Sequence, residues 1–176
     1  GELDGSNYEE IAYEGYGPAG VAILLDIMTD NRNRTAGEIR YIFSKNGGNL
    51  GETGCVAWMF DARGVINIDF AKLEMDADEL MLAAIEAGAI DVVTEDDFIQ
   101  IFTEVEDFES VKQNLKNYGI SFTDAEITKV PQNTILIADL EQAQQVLNLL
   151  ESLEDNDDVQ AAYANFEIAD EIAEKL

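Results

Sequence analysis

Hydrophobic and polar positions along this 176-residue chain form short segments whose spacing alternates between that of strands and that of helices. Tyr8–Glu14 shows partial alternation and Val21–Met28 is rich in branched apolar residues, so both are predicted to be strands joined by the turn Gly15–Gly20. From Thr35 to Asn46 the apolar residues fall on one arc, which predicts a helix. This helix is expected to pack on a sheet and to show a partly basic outer face.

The same spacing rules predict further strands and helices in interleaved order. They are a hairpin of strands Val56–Phe60 and Val65–Phe70 about the turn Asp61–Gly64, a helix Asp76–Ala87, strands Ile90–Thr94 and Phe98–Thr103, a helix Phe108–Tyr118, strands Ser121–Val130 and Asn133–Ile137, a helix capped by Asp139, and a final strand Val159–Phe166. Because several strands meet through short turns, this order favours an α+β fold with mixed or antiparallel sheets over a doubly wound parallel sheet.

The domain organisation is predicted from a composition shift near residues 70–76 and from the last helix and strand, which are placed to rejoin the first sheet. We therefore expect two α+β subdomains, the second inserted into the first. The first would comprise residues 1–72 together with 138–176, and the second residues 73–137.

Acidic residues outnumber basic ones by 37 to 10, which gives a formal net charge of −27. The electric field of so negative a chain repels phosphate backbones. Binding a phosphate backbone also needs Lys and Arg to displace its counterions, and this chain has few of them. No apolar run along the chain is longer than six residues, as in Leu80–Ile85, which is far shorter than the roughly 20 residues of a membrane span. The start of the chain has neither the basic segment nor the apolar core of a signal peptide. The sequence therefore predicts a cytoplasmic protein without membrane association.

The residue types also exclude much catalytic chemistry. The chain has no His and a single Cys, Cys55. Imidazole bases, Ser-His-Asp relays, Cys-His pairs and His-ligated metals are therefore unavailable. Neighbouring carboxylates such as Asp96 and Asp97 arise by chance in so acidic a chain and are expected at the surface. We expect no enzyme activity, no cofactor and no metal.

The most suggestive stretch is a local excess of positive charge near the first predicted helix. Four of the ten bases lie within fourteen residues in which Glu38 is the only acid, so the stretch has a net charge of +3. Arginine forks and amides are suited to phosphate oxygens and base edges. The alternative is a capped helix whose arginines pair with acidic side chains. The candidate nucleic-acid-binding residues are Asn31, Arg32, Asn33, Arg34, Arg40 and Lys45.

Other motifs have simpler interpretations. The glycines of Gly15–Gly20 match the dinucleotide fingerprint, but a strand and not a helix is predicted to follow, which favours a hairpin turn. Asp155–Asp158 lacks the Gly and the distal Glu of an EF-hand, and a solvated turn is expected. Trp58, Tyr13 and Tyr16 are expected in or near a core, and Cys55 is expected to be a small buried or half-buried residue without a role.

Several motifs together resemble the YebC/PmpR family, nearly from end to end and in order. The most specific are Glu14-Gly15-Tyr16-Gly17-Pro18 and Asp30-Asn31-Arg32-Asn33-Arg34. Others are Phe43 through Gly51, Val56-Ala57-Trp58-Met59-Phe60, Ala84 through Val93, and Leu153-Glu154-Asp155 through Val159-Gln160. One departure is Ala19, where the family often has Gly in the turn.

The resemblance implies a fold and a function class. Family members carry a further basic helical domain at the N-terminus, followed by two α+β domains of which the second is inserted into the first. They are described as probable transcriptional regulators that bind DNA, whereas relatives that include a mitochondrial translational activator act in translation at the ribosome. Known members are not enzymes, and the family supplies no contact residue for this chain.

The first functional hypothesis is therefore a regulator of gene expression that binds DNA mainly through the N-terminal domain of the family, assisted by the basic stretch. The second is a ribosome-associated translation factor whose partners are ribosomal RNA and basic ribosomal proteins. A third is an acidic protein-interaction module. Reversing the charge of Arg32 and Arg34 would leave only this third function unchanged.

Overall fold

The computed structural model describes residues 7–176, and its helices and strands interleave along the chain. The elements are β1 (Glu9–Tyr16), β2 (Ala22–Thr29), α1 (Arg32–Lys45), β3 (Asn49–Leu50), β4 (Phe60–Asp69), α2 (Ala77–Ala87), β5 (Asp91–Thr94), β6 (Phe98–Thr103), α3 (Phe108–Asn117), β7 (Asp124–Pro131), β8 (Ile135–Ile137), α4 (Leu140–Glu154), β9 (Val159–Ala164), β10 (Phe166–Ile168) and α5 (Asp170–Ala173). The protein is an α+β fold, as predicted. No helix within residues 7–176 combines the length and hydrophobicity needed to cross a membrane.

The chain divides into two compact units. One contains residues up to Phe60 together with Pro131–Leu176, and the other contains Asp61–Val130. The predicted domain limits stay a prediction.

The first unit is built on a four-stranded sheet with the strand order β3-β1-β2-β9. β1 and β2 form an antiparallel hairpin across the whole of both strands, from Glu9 opposite Thr29 to Tyr16 opposite Ala22. The glycine-rich segment 15–20 therefore connects two strands, and the predicted hairpin turn is confirmed. β9 pairs antiparallel with β2, so the predicted return of the last helix and strand to the first sheet is also confirmed.

The central strand β2 is buried on both faces, which explains its continuous apolar sequence. Ile23, Leu25 and Ile27 point to a core shared with α1 and α4. Ala22 and Leu24 point to the opposite face, where they meet a smaller cluster formed with Val56 and Phe60. Side chains alternate between the two faces of a strand, so one eight-residue segment supports both layers.

The predicted final strand, Val159–Phe166, is interrupted at Asn165. The buried side-chain oxygen of Asn165 accepts a hydrogen bond from the Ala22 backbone N–H at 2.7 Å, and the backbone carbonyl of Asn165 accepts one from the Ile135 N–H at 2.8 Å. The chain thereby leaves β2 and continues as β10, which pairs in parallel with β8. The short helix α5 follows and was not predicted.

The second unit contains a sheet with the strand order β5-β6-β4-β7 and the helices α2 and α3. β6 pairs antiparallel with β4 and with β5. Ile66 and Ile99 are among the strand residues of its core, and Leu80, Val111 and Leu115 are among those from the helices. The predicted helices at 76–87 and 108–118 and the strand at 98–103 correspond to α2, α3 and β6.

The predicted hairpin about Asp61–Gly64 is wrong. Ala57–Met59 is a short 3-10 helix, and β4 runs without a turn through Asp61–Gly64 to Asp69. Gly64 lies opposite Thr103 in the β4–β6 ladder, and a Cβ at this position would collide with Thr103 Oγ1 and the Phe108 ring. The glycine marks a close approach within a strand, which is a second reason for glycine in β-structure.

We expect Gly64→Ala to lower the free energy of unfolding by about 2 kcal/mol, because the new methyl group overpacks a site that buried side chains already fill. Chemical denaturation monitored by circular dichroism measures the change. Gly37→Ala is the matched control, since a Cβ at Gly37 has open space around it. An equal stability of the Gly64→Ala variant and the parent chain would contradict the close-approach explanation.

Candidate nucleic-acid interface

The candidate residues surround the start of α1, where the chain turns from the end of β2 into the helix. Asn31 is the N-cap, and its side-chain oxygen accepts a hydrogen bond from the Arg34 backbone N–H at 3.1 Å. The Asn31 N–H donates to Thr29 Oγ1 at 2.9 Å. Capping satisfies donors that a helix leaves free in its first turn. The amide of Asn31 is therefore engaged in positioning the helix.

Both arginines of the first turn are exposed but paired with carboxylates. Arg32 Nη2 lies 2.6 Å from Glu9 Oε1 on β1, and its Nε donates to the same oxygen at 3.2 Å. Arg34 Nη2 lies 2.6 Å from Asp158 Oδ2. Arg34 also has Asp30 at 3.6 Å and Glu38 at 3.7 Å. The alternative of a capped helix with paired arginines is thus what the structure shows.

These contacts change the charge balance of the candidate interface. The stretch 32–45 has a net charge of +3 along the sequence. In the folded chain Glu9, Asp30 and Asp158 join Glu38 beside Arg32 and Arg34. When these four acids are counted with the four bases of the stretch, the local net charge is zero, although the acids lie beside Arg32 and Arg34 only. Whether the two arginines also contact nucleic acid stays a prediction.

A polar network beneath Arg34 explains the Thr and Asp residues of this region. The buried Thr35 hydroxyl lies 2.7 Å from Thr29 Oγ1 and 2.7 Å from Asp158 Oδ2. Burial opposes ionisation of Asp158, but hydrogen bonds from Thr35 and Arg34 outweigh it and lower the pKa of the carboxyl. The predicted turn Asp155–Asp158 does lie between α4 and β9, but Asp158 fixes that turn to α1.

The remaining cations, Arg40 and Lys45, lie on the outer face of α1. We define this outer α1 face as the exposed residues Asn33, Gly37, Arg40, Tyr41, Ser44 and Lys45. The opposite face buries Ile39 and Phe43, as the hydrophobic spacing predicted, and also Thr35. Within residues 7–176, neither Arg40 nor Lys45 has a carboxylate within ion-pair distance. Tyr41 is 63% exposed, and Lys45 Nζ lies 5.9 Å from the centre of its ring.

Glu14 is a buried carboxylate whose structural role the sequence interpretation missed. The residue is only 3% exposed, and its carboxylate accepts three backbone hydrogen bonds, from Gly54 at 2.6 Å, Val56 at 2.8 Å and Ala57 at 2.6 Å. Burial opposes ionisation, but these three donors together lower the pKa of Glu14. The carboxylate therefore holds the loop 51–57 against the sheet. This anchoring role explains why the motif Glu14–Pro18 begins with a glutamate.

The aromatic side chains divide between core and surface. Tyr13 and Tyr16 pack at the edges of the hydrophobic clusters, as predicted. The prediction for Trp58 is wrong, because its side chain is 65% exposed and its indole N–H donates to the Cys55 carbonyl at 3.2 Å. Burial, followed by the nearby Glu14 carboxylate, raises the pKa of the half-buried Cys55 thiol.

Carboxylates dominate the depression next to Arg34. Its volume is about 560 Å³, and its lining residues are Tyr8, Asp30, Arg34, Glu38 and the turn Asp155–Asp158. Across the part of the chain that the structure describes, no three His, Cys, Asp or Glu side chains are grouped so that they could hold a metal ion. The depression has the charge to attract cationic groups, whereas an anionic ligand would be repelled.

Comparisons with known proteins identify the family. The model of the "TACO1/YebC second and third domain" matches residues 8–166. A "probable transcriptional regulatory protein" of Halothermothrix orenii is 55% identical over 176 residues, which cover 100% of this chain and 70% of the relative. A protein with the same description from Desulfitobacterium hafniense is 57% identical over 172 residues, which cover 98% of this chain and 68% of the relative.

A solved structure shows the same fold. The crystal structure of a conserved hypothetical protein from Aquifex aeolicus aligns with a TM-score of 0.78 and 45% sequence identity, covering 96% of this chain and 68% of that chain. The resemblance found in the sequence motifs is thus confirmed by sequence identity, by the family model and by the fold. The chain belongs to the TACO1/YebC family.

Proposed function

We propose that this chain is part of a cytoplasmic regulator of gene expression, and that it contributes to nucleic-acid binding without catalysing a reaction. The names of its relatives as probable transcriptional regulatory proteins support the regulatory role. The observation that carries the binding role is the outer α1 face. There Arg40 and Lys45 flank the exposed Tyr41, and neither cation is paired with a carboxylate among the described residues.

This face offers two kinds of contact that nucleic acids accept. Arg and Lys bind phosphate oxygens. An exposed tyrosine ring provides a surface on which a base can stack, and stacking tolerates different sequences because every base has a π-face. Gly37 and Ser44 are small, so the helix backbone can approach a nucleic-acid strand closely. In this proposal Arg32 and Arg34 orient the helix through their carboxylate partners instead of making the main phosphate contacts.

The size of the effect is limited by the charge of the chain. Two unpaired cations displace few counterions from a nucleic acid, and the net charge of −27 opposes the approach of any polyanion. We therefore propose that this chain binds nucleic acid weakly and locally. The basic N-terminal domain that the family resemblance implies would provide most of the phosphate contacts. The outer α1 face would help to fix the position or orientation of the protein on the nucleic acid.

Reversing both cations, Arg40→Glu with Lys45→Glu, is expected to weaken binding of the chain to DNA or RNA about tenfold at low salt, because two phosphate contacts are lost. The slope of log affinity against log salt should fall by about two. Fluorescence anisotropy with a labelled duplex DNA and a single-stranded RNA, titrated over salt concentration, measures both quantities.

The control variant is Lys72→Glu with Lys175→Glu, which changes the net charge by the same amount at two exposed lysines outside α1. If both double variants weaken binding equally, the effect is one of overall charge and the outer α1 face is not the contact. If neither variant changes binding, the chain contributes through protein contacts, as the third hypothesis states.

A second candidate is a ribosome-associated translation factor. The observation that favours it is the contrast between a small cationic face on α1 and an otherwise acidic chain, because ribosomes present RNA next to basic proteins. Co-sedimentation of the full-length protein with ribosomes at low salt discriminates the two functions. Recovery with ribosomes, combined with weak binding to free duplex DNA, would favour translation over transcription.

A further inference from the structure

Helix α2 of the second unit is apolar on two sides. Leu80, Ala84 and Ala87 are buried in the core of that unit. Met81, Leu82 and Ile85 point outward, and the side chains of Leu82 and Ile85 remain 68% and 54% exposed. A surface helix normally places polar residues opposite its buried stripe, and a helix that is hydrophobic all round is normally covered on both sides. We call Met81, Leu82 and Ile85 the outer α2 face.

Carboxylates border the outer α2 face closely. Asp78 and Glu79 precede Leu82 by four and three residues, and Glu86 follows it by four. Side chains three or four positions apart on a helix are neighbours. All three acids are exposed, and no ion pair with any of them occurs among the described residues. The outer face is therefore an apolar strip with an anionic border.

The charge of the surroundings selects the kind of partner. Residues 61–130 contain 17 acids and 5 bases, a net charge of −12. A second copy of this chain would place the same acids against each other, which costs free energy. Nucleic acids and anionic lipid surfaces carry the same sign of charge as the border and are disfavoured for the same reason. A protein segment with apolar and cationic side chains complements both features.

We propose that the outer α2 face docks a cationic amphipathic helix of a partner protein. Leu or Ile side chains spaced by three and four residues on that helix would cover Met81, Leu82 and Ile85. Lys or Arg side chains on its flanks would face Asp78, Glu79 and Glu86. The apolar contact supplies most of the affinity, and the charged border selects basic partners over acidic ones and speeds association. This surface is separate from α1 and does not depend on nucleic-acid binding.

The test uses the whole chain and two designed peptides. Both form amphipathic helices with leucines along one face, and they differ only in flanking residues, lysine in one and glutamate in the other. Isothermal titration calorimetry measures binding, and amide chemical shifts locate it. The lysine peptide is expected to bind at α2 and to lose about tenfold in affinity with Leu82→Glu. Leu147→Glu, a helical surface position on α4, is the matched control and is expected to have no effect.

Further variants and measurements distinguish the cationic helix from other occupants of the outer α2 face. Glu79→Gln with Glu86→Gln is expected to weaken binding of the lysine peptide severalfold and to reduce its dependence on salt. Equal binding of both peptides, or shift changes outside α2, would overturn the proposal. So would a concentration-dependent dimer that Leu82→Glu abolishes, because a second copy would then be the occupant. Because Leu82 is exposed, its replacement is expected to leave the circular dichroism spectrum unchanged.

Discussion

Glu14→Ala is expected to lower the free energy of unfolding by about 4 kcal/mol. The substitution removes the acceptor of three backbone N–H groups, from Gly54, Val56 and Ala57, all within 2.8 Å of the carboxylate. Hydrogen bonds to a charged group are stronger than neutral ones, and a buried donor left without a partner is costly. The loop 51–57 and the Val56 side chain should detach together from β2.

The stability measurement includes two comparison variants. Glu10→Ala lies on the same strand at an exposed position and is expected to change the unfolding free energy by less than about 0.5 kcal/mol. Glu14→Gln keeps the shape but not the charge, so it should retain about half of the stabilisation. If Glu14→Ala unfolds at the same urea concentration as Glu10→Ala, the carboxylate does not anchor the loop.

The pH dependence of this contribution has a definite sign. The folded pKa of Glu14 is lowered from its ordinary value of 4.5, so the unfolded chain takes up the proton more readily. The stabilisation is therefore fully present above pH 4.5 and is lost as the pH falls through the folded pKa. The difference in unfolding free energy between the parent chain and Glu14→Gln should shrink over that acidic range and stay constant near neutral pH.

Asp158→Ala is expected to have the next largest effect, about 3 kcal/mol, because the carboxylate joins α1 to the turn before β9. Its Oδ2 atom lies 2.6 Å from Arg34 Nη2 and 2.7 Å from the buried Thr35 hydroxyl. Since Arg34 is 44% exposed in its side chain, the Thr35 contact accounts for more of the loss than the ion pair does.

The positions at which Asp158→Ala accelerates hydrogen exchange distinguish a local effect of this substitution from a general loss of stability. Hydrogen exchange should accelerate most in the first turn of α1 and at the Met28 amide, which donates to the Asp158 carbonyl at 2.9 Å. Asp157→Ala, the exposed neighbour in the same turn, serves as the control. Uniform acceleration throughout both units would indicate that Asp158 does not act locally at the α1 start.

Local patterns predicted most of the elements but not the partners of the charged residues. β6 and the start of α3 follow from hydrophobic spacing and from turn residues within a few positions. Arg32 pairs with a residue 23 positions away, and Arg34 with one 124 positions away. A net charge counted along 32–45 cannot include those carboxylates. The excess of bases along 32–45 is a property of the sequence, whereas the charge of this region in the folded chain depends on those distant carboxylates.

The two clear errors also arise from contacts between residues that are distant in sequence. Asp61–Gly64 has turn residues, but Gly64 is needed for the approach of Phe108 within a strand, and nothing nearby in the sequence distinguishes the two uses. Trp58 was placed near a core because tryptophan is usually largely buried, whereas the Glu14 anchor holds its loop with the indole outward. In both cases contacts with residues tens of positions away decide the outcome.

The pairing of β9 with β2 has a consequence for how the chain is made. Residues 23–27 of β2 pair along one edge with residues 159–164, which are synthesised more than 130 residues later. Until then a growing chain displays a bare apolar strand with free amide and carbonyl groups, the kind of surface on which other chains assemble. β9 therefore also protects this edge of β2 from association with other chains. A chain truncated before β9 would expose the edge and would be prone to aggregate.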